Sequence, residues 1–117
     1  MIVSKKTSFS AAHYLPNHFG PCQNLHGHTW TIELAVDGNP QDDGIVVDFA
    51  VLKGFLSYIN DQFDHTLLND IITNPTAENI CLYIKDKWDS DDWGQGPVAL
   101  AYIRVWETED SMIEYRP

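Results

Sequence analysis

The sequence predicts an α+β fold in which two strands, two helices and two further strands follow one another, β-β-α-α-β-β. Three observations support this prediction. Apolar residues alternate between residues 2 and 36, recur at helical spacing between residues 49 and 88, and alternate again from residue 98. With 117 residues the chain has the size of one domain, 1–117. We therefore expect one four-stranded antiparallel sheet with both helices on one face.

The first two strands are predicted to form an antiparallel pair with a long connecting loop. Residues 2–13 are typical of a strand in which Phe9, Ala11 and His13 share one phase. A loop at 15–24 contains several turn-forming residues. The alternation is clearer in the second strand, whose one face carries His26, His28, Trp30, Ile32, Leu34 and Val36.

Two amphipathic helices are predicted in the middle of the chain. Asp48 is a candidate N-cap for the first helix, and its apolar positions are Phe49, Leu52, Leu56, Ile59 and Phe63. Thr76 is a candidate N-cap for the second, and its apolar stripe is Ile80, Cys81, Ile84 and Trp88. The stripe predicts that Cys81 belongs to the core. A loop at 64–75 separates the helices, and an acidic linker at 89–96 follows them.

The last two strands are predicted at 98–106 and 111–116. The first of them is apolar in both phases, with Tyr102 and Trp106 in one phase and Ile103 and Val105 in the other. A strand that is apolar on both sides needs cover on both faces of its sheet. Because two helices cover only one face, we expect a second subunit on the other face.

Composition excludes several classes of protein. Seven basic and 17 acidic side chains give a net charge of −10, so nucleic acids and anionic membranes are not expected partners. No apolar run approaches the ~20 residues that span a bilayer, and the first residues do not resemble a signal peptide. The two cysteines, Cys22 and Cys81, do not form a CxxC motif or a disulfide-rich pattern. We expect a cytoplasmic protein with reduced thiols.

Three histidines form the strongest candidate site. His26 and His28 point to one face of a strand, about 7 Å apart at a rise of ~3.4 Å per residue. His13 ends the neighbouring strand in a matching phase. Three imidazoles with an open fourth position are typical of catalytic zinc sites. A lone strand histidine is more often an ordinary side chain, but this combination favours metal binding.

Other residues near these histidines leave alternatives open. Cys22 could be a fourth ligand of a closed structural site, or a thiolate beside an open zinc ion. Asp64 and His65 could form a proton relay, or His65 could simply interact with the dipole at a helix C-terminus. Glu107 ends an apolar strand, where a buried carboxylate would need a partner. Spacing alone favours an exposed strand-end acid.

The sequence resembles the 6-pyruvoyltetrahydropterin synthase family from about residue 3 to residue 116. Six segments in the same order carry the resemblance: Phe9-Ser10-Ala11-Ala12-His13, Cys22-Gln23-Asn24-Leu25-His26-Gly27-His28, Val47-Asp48-Phe49, Asp64-His65-Thr66-Leu67-Leu68-Asn69-Asp70, Asn74-Pro75-Thr76-Ala77-Glu78-Asn79 and Glu107-Thr108. The resemblance implies the tunnelling fold, with trimers stacked as hexamers and active sites at subunit interfaces. The three-residue gap between Cys22 and His26 is similar to the branch that forms 6-carboxy-5,6,7,8-tetrahydropterin for queuosine and 7-deazaguanine synthesis.

The resemblance also implies a role for each site residue. Zinc would be held by His13, His26 and His28. Cys22 would accept a proton, with His65 and Asp64 as its relay, and Glu107 would anchor the 2-amino edge of the pterin and take part in the relay. Thr76 and Thr108 would contact the pterin. The implied substrate is 7,8-dihydroneopterin triphosphate, and the implied products are the carboxytetrahydropterin, acetaldehyde and triphosphate.

Two features differ from what this substrate and this family lead us to expect. The chain has only seven basic residues for a triphosphate, and the candidates are Lys5, Lys6, Lys53 and Arg104. Trp106 stands where the resemblance leads us to expect Lys or Tyr, so the resemblance does not determine the residues of the pocket wall. Alternatives are formation of the pyruvoyl product, cleavage of the side chain of an unphosphorylated pterin, and a non-catalytic zinc module.

Overall fold

The computed structural model describes residues 1–93 and 96–117. Its main elements are, in chain order, β1 (Ile2–His13), β2 (His26–Gly38), α1 (Phe49–Phe63), α2 (Ala77–Ser90), β3 (Val98–Thr108) and β4 (Ser111–Tyr115). Short 3-10 turns lie at Pro21–Gln23 and Leu68–Asp70. The predicted order is confirmed. Helix α2 extends two residues into the predicted linker at 89–96, and residues 94 and 95 of that linker lie outside the described residues.

The four strands form one antiparallel sheet in the order β1-β2-β3-β4. Strands β1 and β2 pair without a register shift, from Ile2 opposite Asp37 to His13 opposite His26. A continuous register keeps every apolar side chain of the pair on the same face. It also places His13 directly beside the first residue of the His26-Gly27-His28 segment, as the sequence predicts.

Both predicted helix caps are confirmed. The Asp48 carboxylate accepts a hydrogen bond of 2.8 Å from the Ala50 N–H, and the Thr76 hydroxyl accepts one of 3.1 Å from the Asn79 N–H. Such caps satisfy backbone N–H groups that have no partner within the helix. Both helices pack on one face of the sheet, and the buried core between them includes Trp30, Leu34, Phe55, Ile84 and Ile103. Cys81 belongs to this core, and burial raises the pKa of its thiol to about 12.

A bulge in β3 explains part of its apolar pattern. Tyr102 lies opposite Ala35, but Leu100 lies opposite the next residue, Val36, so Ala101 is an extra residue. A bulge of this kind exchanges the two phases of a strand. Leu100 therefore packs against the same core as Ile103, although the two differ in phase. Apolarity in both phases does not by itself require a covering subunit, and the expected oligomer stays a prediction.

The opposite face of the sheet carries a polar network instead of an apolar surface. The buried Glu33 carboxylate accepts hydrogen bonds from the Tyr102 hydroxyl at 2.9 Å and from Arg104 at 3.3 Å. Burial alone would raise the pKa of Glu33, but these hydrogen bonds lower it below its usual range.

Among the described residues, no helix has both the length and the apolar character needed to cross a membrane.

Candidate functional site

Three histidines and one carboxylate converge at the end of the β1–β2 pair. One ligand atom from each of His13, His26, His28 and Glu107 can be chosen so that all four lie within 4.8 Å of one another. The Nε2 atoms of His13 and His26 are 3.0 Å apart. The indole ring of Trp30, which is completely buried, packs edge-on against His13 and His28. The predicted grouping of the three histidines is therefore present in a single chain.

Backbone carbonyls fix the proton positions on two of these rings. Nδ1 of His13 lies 2.8 Å from the Pro75 carbonyl oxygen, and Nδ1 of His26 lies 2.7 Å from that of Asn24. A carbonyl oxygen can only accept, so each Nδ1 donates its proton and each Nε2 of the neutral ring keeps a lone pair. Two lone pairs facing each other at 3.0 Å need a cation or a proton between them.

The buried edge of His28 also fits a bound cation. Its Nε2 atom is buried and has no hydrogen-bond partner among the described residues. Glu107 Oε1 is 3.3 Å away, within ion-pair distance but outside hydrogen-bonding geometry. Burial lowers the pKa of both His13 and His28, which favours neutral rings. Neutral imidazoles with converging lone pairs and carbonyl-bound Nδ1 atoms fit a zinc ion.

Glu107 is not the exposed strand-end acid that its spacing favours. Its side chain is 28% exposed and contacts His28. It also lines a groove between the start of α2 and the β3–β4 turn, together with Ala77, Glu78, Asp110, Ser111, Met112 and Ile113. The interpretation from spacing alone is wrong because the register of β3 on β2 places residue 107 on the histidine side of the sheet.

Asp64 and His65 lie on the outer edge of β1. The Asp64 carboxylate accepts a hydrogen bond from the Ser10 N–H at 3.0 Å, and the Ser10 carbonyl accepts one from the His65 N–H at 2.7 Å. These bonds hold His65 at a φ of 59°, which is uncommon for a residue other than glycine. The Ser10 N–H and His65 hold the pKa of Asp64 below its usual range. The edge of β1 thus orients the pair.

The two side chains of this pair contact each other. His65 Nδ1 lies 3.0 Å from Asp64 Oδ2. With the carboxylate beside Nδ1, that nitrogen carries the proton of the neutral ring and Nε2 is left as an acceptor. His65 is 82% exposed and lines a groove that also includes Gly27 and His28. The relay candidate therefore shares a groove with one residue of the histidine cluster.

Cys22 is placed differently from the other candidates. It lies in the turn Pro21–Gln23, is partly buried, and its carbonyl accepts a hydrogen bond of 2.9 Å from the Leu15 N–H. Its thiol does not belong to the group of ligand atoms that converge around the three histidines. The described chain by itself brings Glu107, and not Cys22, to the fourth position.

The two threonines have structural partners. The Thr76 hydroxyl caps α2, and the Thr108 hydroxyl donates to Asp110 at 2.9 Å. Thr76 follows Pro75, whose carbonyl binds His13, so it lies beside the cluster. Neither hydroxyl has a contact that by itself indicates a bound pterin.

The candidate triphosphate ligands lie away from both grooves at the cluster. Lys6 lies over the ring of Trp106, and Lys5 lies 5.9 Å from the centre of the Phe49 ring. Arg104 is bound by Glu33 and Glu114. No basic side chain of the described chain lines the groove at His28 or the groove at Glu107.

Sequence reasoning missed the residues that orient the histidines. Asn79 Nδ2 donates to the Asn74 carbonyl at 2.8 Å, and the Thr76 N–H donates to the same oxygen at 2.9 Å. These bonds fix the segment in which Pro75 presents its carbonyl to His13. The helix cap at Thr76 can be assigned from the sequence of this segment. The contact between the Pro75 carbonyl and His13 cannot, because it joins residues far apart in the chain.

Known proteins resemble the chain over its whole length. A family profile described as 6-pyruvoyl tetrahydropterin synthase matches residues 2–117. A protein of Archaeoglobus fulgidus, provisionally named 6-carboxy-5,6,7,8-tetrahydropterin synthase, is 40% identical over 116 residues and covers 99% of this chain and 96% of its own. The dihydroneopterin monophosphate aldolase of Pyrococcus furiosus is 35% identical over 109 residues, or 93% of this chain and 91% of its own. The structure of the 6-pyruvoyl tetrahydropterin synthase of Caenorhabditis elegans matches with a TM-score of 0.87 and 28% identity, covering 100% of this chain and 95% of its own.

Proposed function

The chain belongs to the 6-pyruvoyl tetrahydropterin synthase family, and on that premise we propose that it is a zinc-dependent lyase. Its proposed reaction converts 7,8-dihydroneopterin triphosphate to 6-carboxy-5,6,7,8-tetrahydropterin and releases acetaldehyde and triphosphate. The observation that carries the proposal is the convergence of three imidazoles, in which the Nε2 atoms of His13 and His26 face each other and the buried Nε2 of His28 has no hydrogen-bond partner among the described residues.

His13, His26 and His28 would hold the zinc ion through Nε2. A bound zinc ion supplies Lewis acidity, which lowers the pKa of hydroxyl groups on the substrate side chain. The Pro75 and Asn24 carbonyls keep the Nδ1 protons in place, so the two Nε2 lone pairs do not have to reorganise. Trp30 and the core beneath it exclude water from one side of the cluster.

Glu107 would orient the pterin ring. The 2-amino group and the adjacent ring N–H of a pterin form a planar pair of donors, and a carboxylate can accept both. Glu107 lines a groove beside the histidines, which suits a ring whose side chain reaches the metal. Thr76 and Thr108 are proposed pterin contacts at the two ends of this region.

Cys22, His65 and Asp64 would move the proton. A thiolate removes a proton from the substrate side chain, and His65 takes that proton on through Nε2 while Asp64 stabilises the charged ring. His65 is exposed, so it is accessible to a group from outside its own chain. Its exposure leaves His65 open to a neighbouring subunit, and we propose a homo-oligomer of two stacked trimers in which neighbouring subunits complete each site.

The proposed cellular role is cytoplasmic, in the synthesis of queuosine or another 7-deazaguanine. The test is to incubate the zinc-loaded protein with 7,8-dihydroneopterin triphosphate and identify the products by mass spectrometry. Acetaldehyde together with the carboxytetrahydropterin is the expected result. Accumulation of 6-pyruvoyltetrahydropterin would assign the chain to the sister activity, and no conversion of the substrate would contradict the proposal.

A second candidate reaction is cleavage of the side chain of a less phosphorylated dihydroneopterin. Acidic side chains and no basic ones line the groove at Glu107, which favours an uncharged or weakly charged substrate. The similarity to the aldolase of Pyrococcus furiosus supports the same candidate. Rates measured on dihydroneopterin, its monophosphate and its triphosphate distinguish the two reactions, because only the lyase proposed above requires the triphosphate.

A non-catalytic zinc module is the remaining alternative. In such a module Cys22 would be a structural ligand, so Cys22→Ala would release zinc and unfold the domain. If zinc and fold persist while turnover is lost, Cys22 takes part in catalysis.

A further inference from the structure

Glu107 is close enough to the three histidines to complete their ligand set. A zinc–nitrogen distance of about 2.0–2.1 Å places two ligand atoms of a tetrahedral site about 3.3 Å apart. His28 Nε2 and Glu107 Oε1 are 3.3 Å apart, and the Nε2 atoms of His13 and His26 are 3.0 Å apart. These two pairs lie near the length of a tetrahedral edge, and all four ligand atoms lie within 4.8 Å of one another.

The contact between Glu107 and His28 is not explained as an ordinary hydrogen bond. The two atoms are at ion-pair distance but do not form a hydrogen bond, so His28 Nε2 has no hydrogen-bond partner among the described residues. A half-buried carboxylate beside a neutral ring is costly unless a cation lies near both. Within the described chain, the group of atoms suited to a metal includes this carboxylate.

We propose that Glu107 is the fourth protein ligand of the metal in the substrate-free protein. The inference rests on the proposed zinc-dependent function, in which Glu107 orients the pterin ring. The metal site is then closed at rest, with three imidazoles and one carboxylate.

A substrate must release Glu107 from the metal before it can react. The carboxylate also lines the groove between α2 and the β3–β4 turn, so it has a second environment within reach. A pterin ring in that groove offers two N–H donors to the carboxylate. Donation from the ring to the carboxylate would draw Glu107 away from the metal, and the ligand position that it leaves would be available to an oxygen of the substrate side chain. Opening of the metal site is thereby coupled to recognition of the ring.

The experiment uses cobalt as a spectroscopic substitute for zinc. Protein freed of metal by a chelator is titrated with Co²⁺, and visible absorption reports the coordination while competition with a chelator gives the dissociation constant. The natural chain is compared with Glu107→Gln, with Glu107→Asp, which keeps the charge but shortens the side chain, and with Glu109→Gln as a matched control in the exposed turn. Circular dichroism verifies that each variant is folded.

We expect both Glu107 variants to bind Co²⁺ at least about tenfold more weakly, with a changed visible spectrum, while Glu109→Gln behaves like the natural chain. Unsubstituted pterin should shift the cobalt spectrum of the natural chain and leave that of Glu107→Gln unchanged. Equal affinities and spectra in the natural chain and the Glu107 variants would overturn the inference and leave the proposed function standing. If the natural chain binds no Co²⁺, both fail.

Discussion

The histidine cluster and the Asp64–His65 pair lie near the same end of β1, but the fold holds them in different ways. His13 is completely buried and its neighbours lie on the adjacent strand in continuous register. His65 is 82% exposed and is held by backbone bonds to the edge of β1. Strand pairing assembles the histidine cluster within one chain, whereas the Asp64–His65 pair is exposed at the surface.

The difference separates metal binding from proton transfer. A ligand set on paired strands is preorganised because the sheet fixes every Cβ position. Groups on loops keep more freedom and can take part in a site that another element completes. Changes in the cluster should therefore affect metal affinity first, and changes in the loops should affect turnover while the metal stays bound.

Removing one histidine should have the largest effect. We expect His28→Ala to weaken zinc binding by more than about 100-fold, because even residues that only support a ligand change affinity by up to that factor. Turnover should be lost with the metal. Competition with a chelator measures the affinity, and His18→Ala, in an exposed loop, is the matched control. Zinc binding at natural strength in His28→Ala would refute the cluster as the metal site.

Replacing the relay should reduce turnover and leave the metal in place. We expect His65→Ala to lower kcat by about 10²- to 10⁴-fold, the usual contribution of a general acid or base. The zinc content should equal that of the natural chain, since His65 is held outside the cluster. Steady-state rates together with metal analysis test this expectation. Loss of zinc in His65→Ala would mean that the two regions are not separate.

Removing a hydrogen bond that fixes the segment around Pro75 should have a smaller effect on metal binding. Asn79→Ala removes the side-chain donor to the Asn74 carbonyl, so the Pro75 carbonyl orients His13 less well. We expect zinc affinity to fall by about tenfold, as for other residues that support a ligand. Asn39→Ala, at an exposed site, should not change the affinity. If thermal stability falls equally in the zinc-bound and zinc-free protein while affinity is unchanged, Asn79 only stabilises the fold.

The pH dependence of the metal-free protein should show the smallest effect. Burial lowers the pKa of His13 and His28 from 6.5, so the unfolded chain binds protons at a higher pH than the folded chain. The free energy of unfolding should therefore be highest above pH 6.5 and fall as the pH is lowered below it, by at most about 1.4 kcal/mol per pH unit for each group.

Urea unfolding with a chelator present measures this dependence. The carboxylates with a lowered pKa, Glu33, Asp64 and Glu114, would titrate below 4.5, so they do not contribute in the same window. A free energy of unfolding that rises as the pH falls through 6.5 would contradict the expected burial of neutral rings.

Sequence reasoning was most accurate where short-range rules apply. The ends of β1, the caps at Asp48 and Thr76, and the common face of His26 and His28 all follow from local spacing and side-chain chemistry. It was least accurate for β3. An inserted residue at Ala101 changes which side chains face the core, and no local signal marked that position.

The sequence by itself determined the order of the elements, the three metal-binding candidates and the family resemblance, because periodicity and residue type carry that information. Only the tertiary structure decided that Glu107 lies beside His28, that Pro75 orients His13 and that Cys22 stays outside the group of ligand atoms. These three facts depend on contacts between residues far apart in the chain. Strand register and loop packing fix such contacts, and neither can be derived from the spacing of residues along one strand.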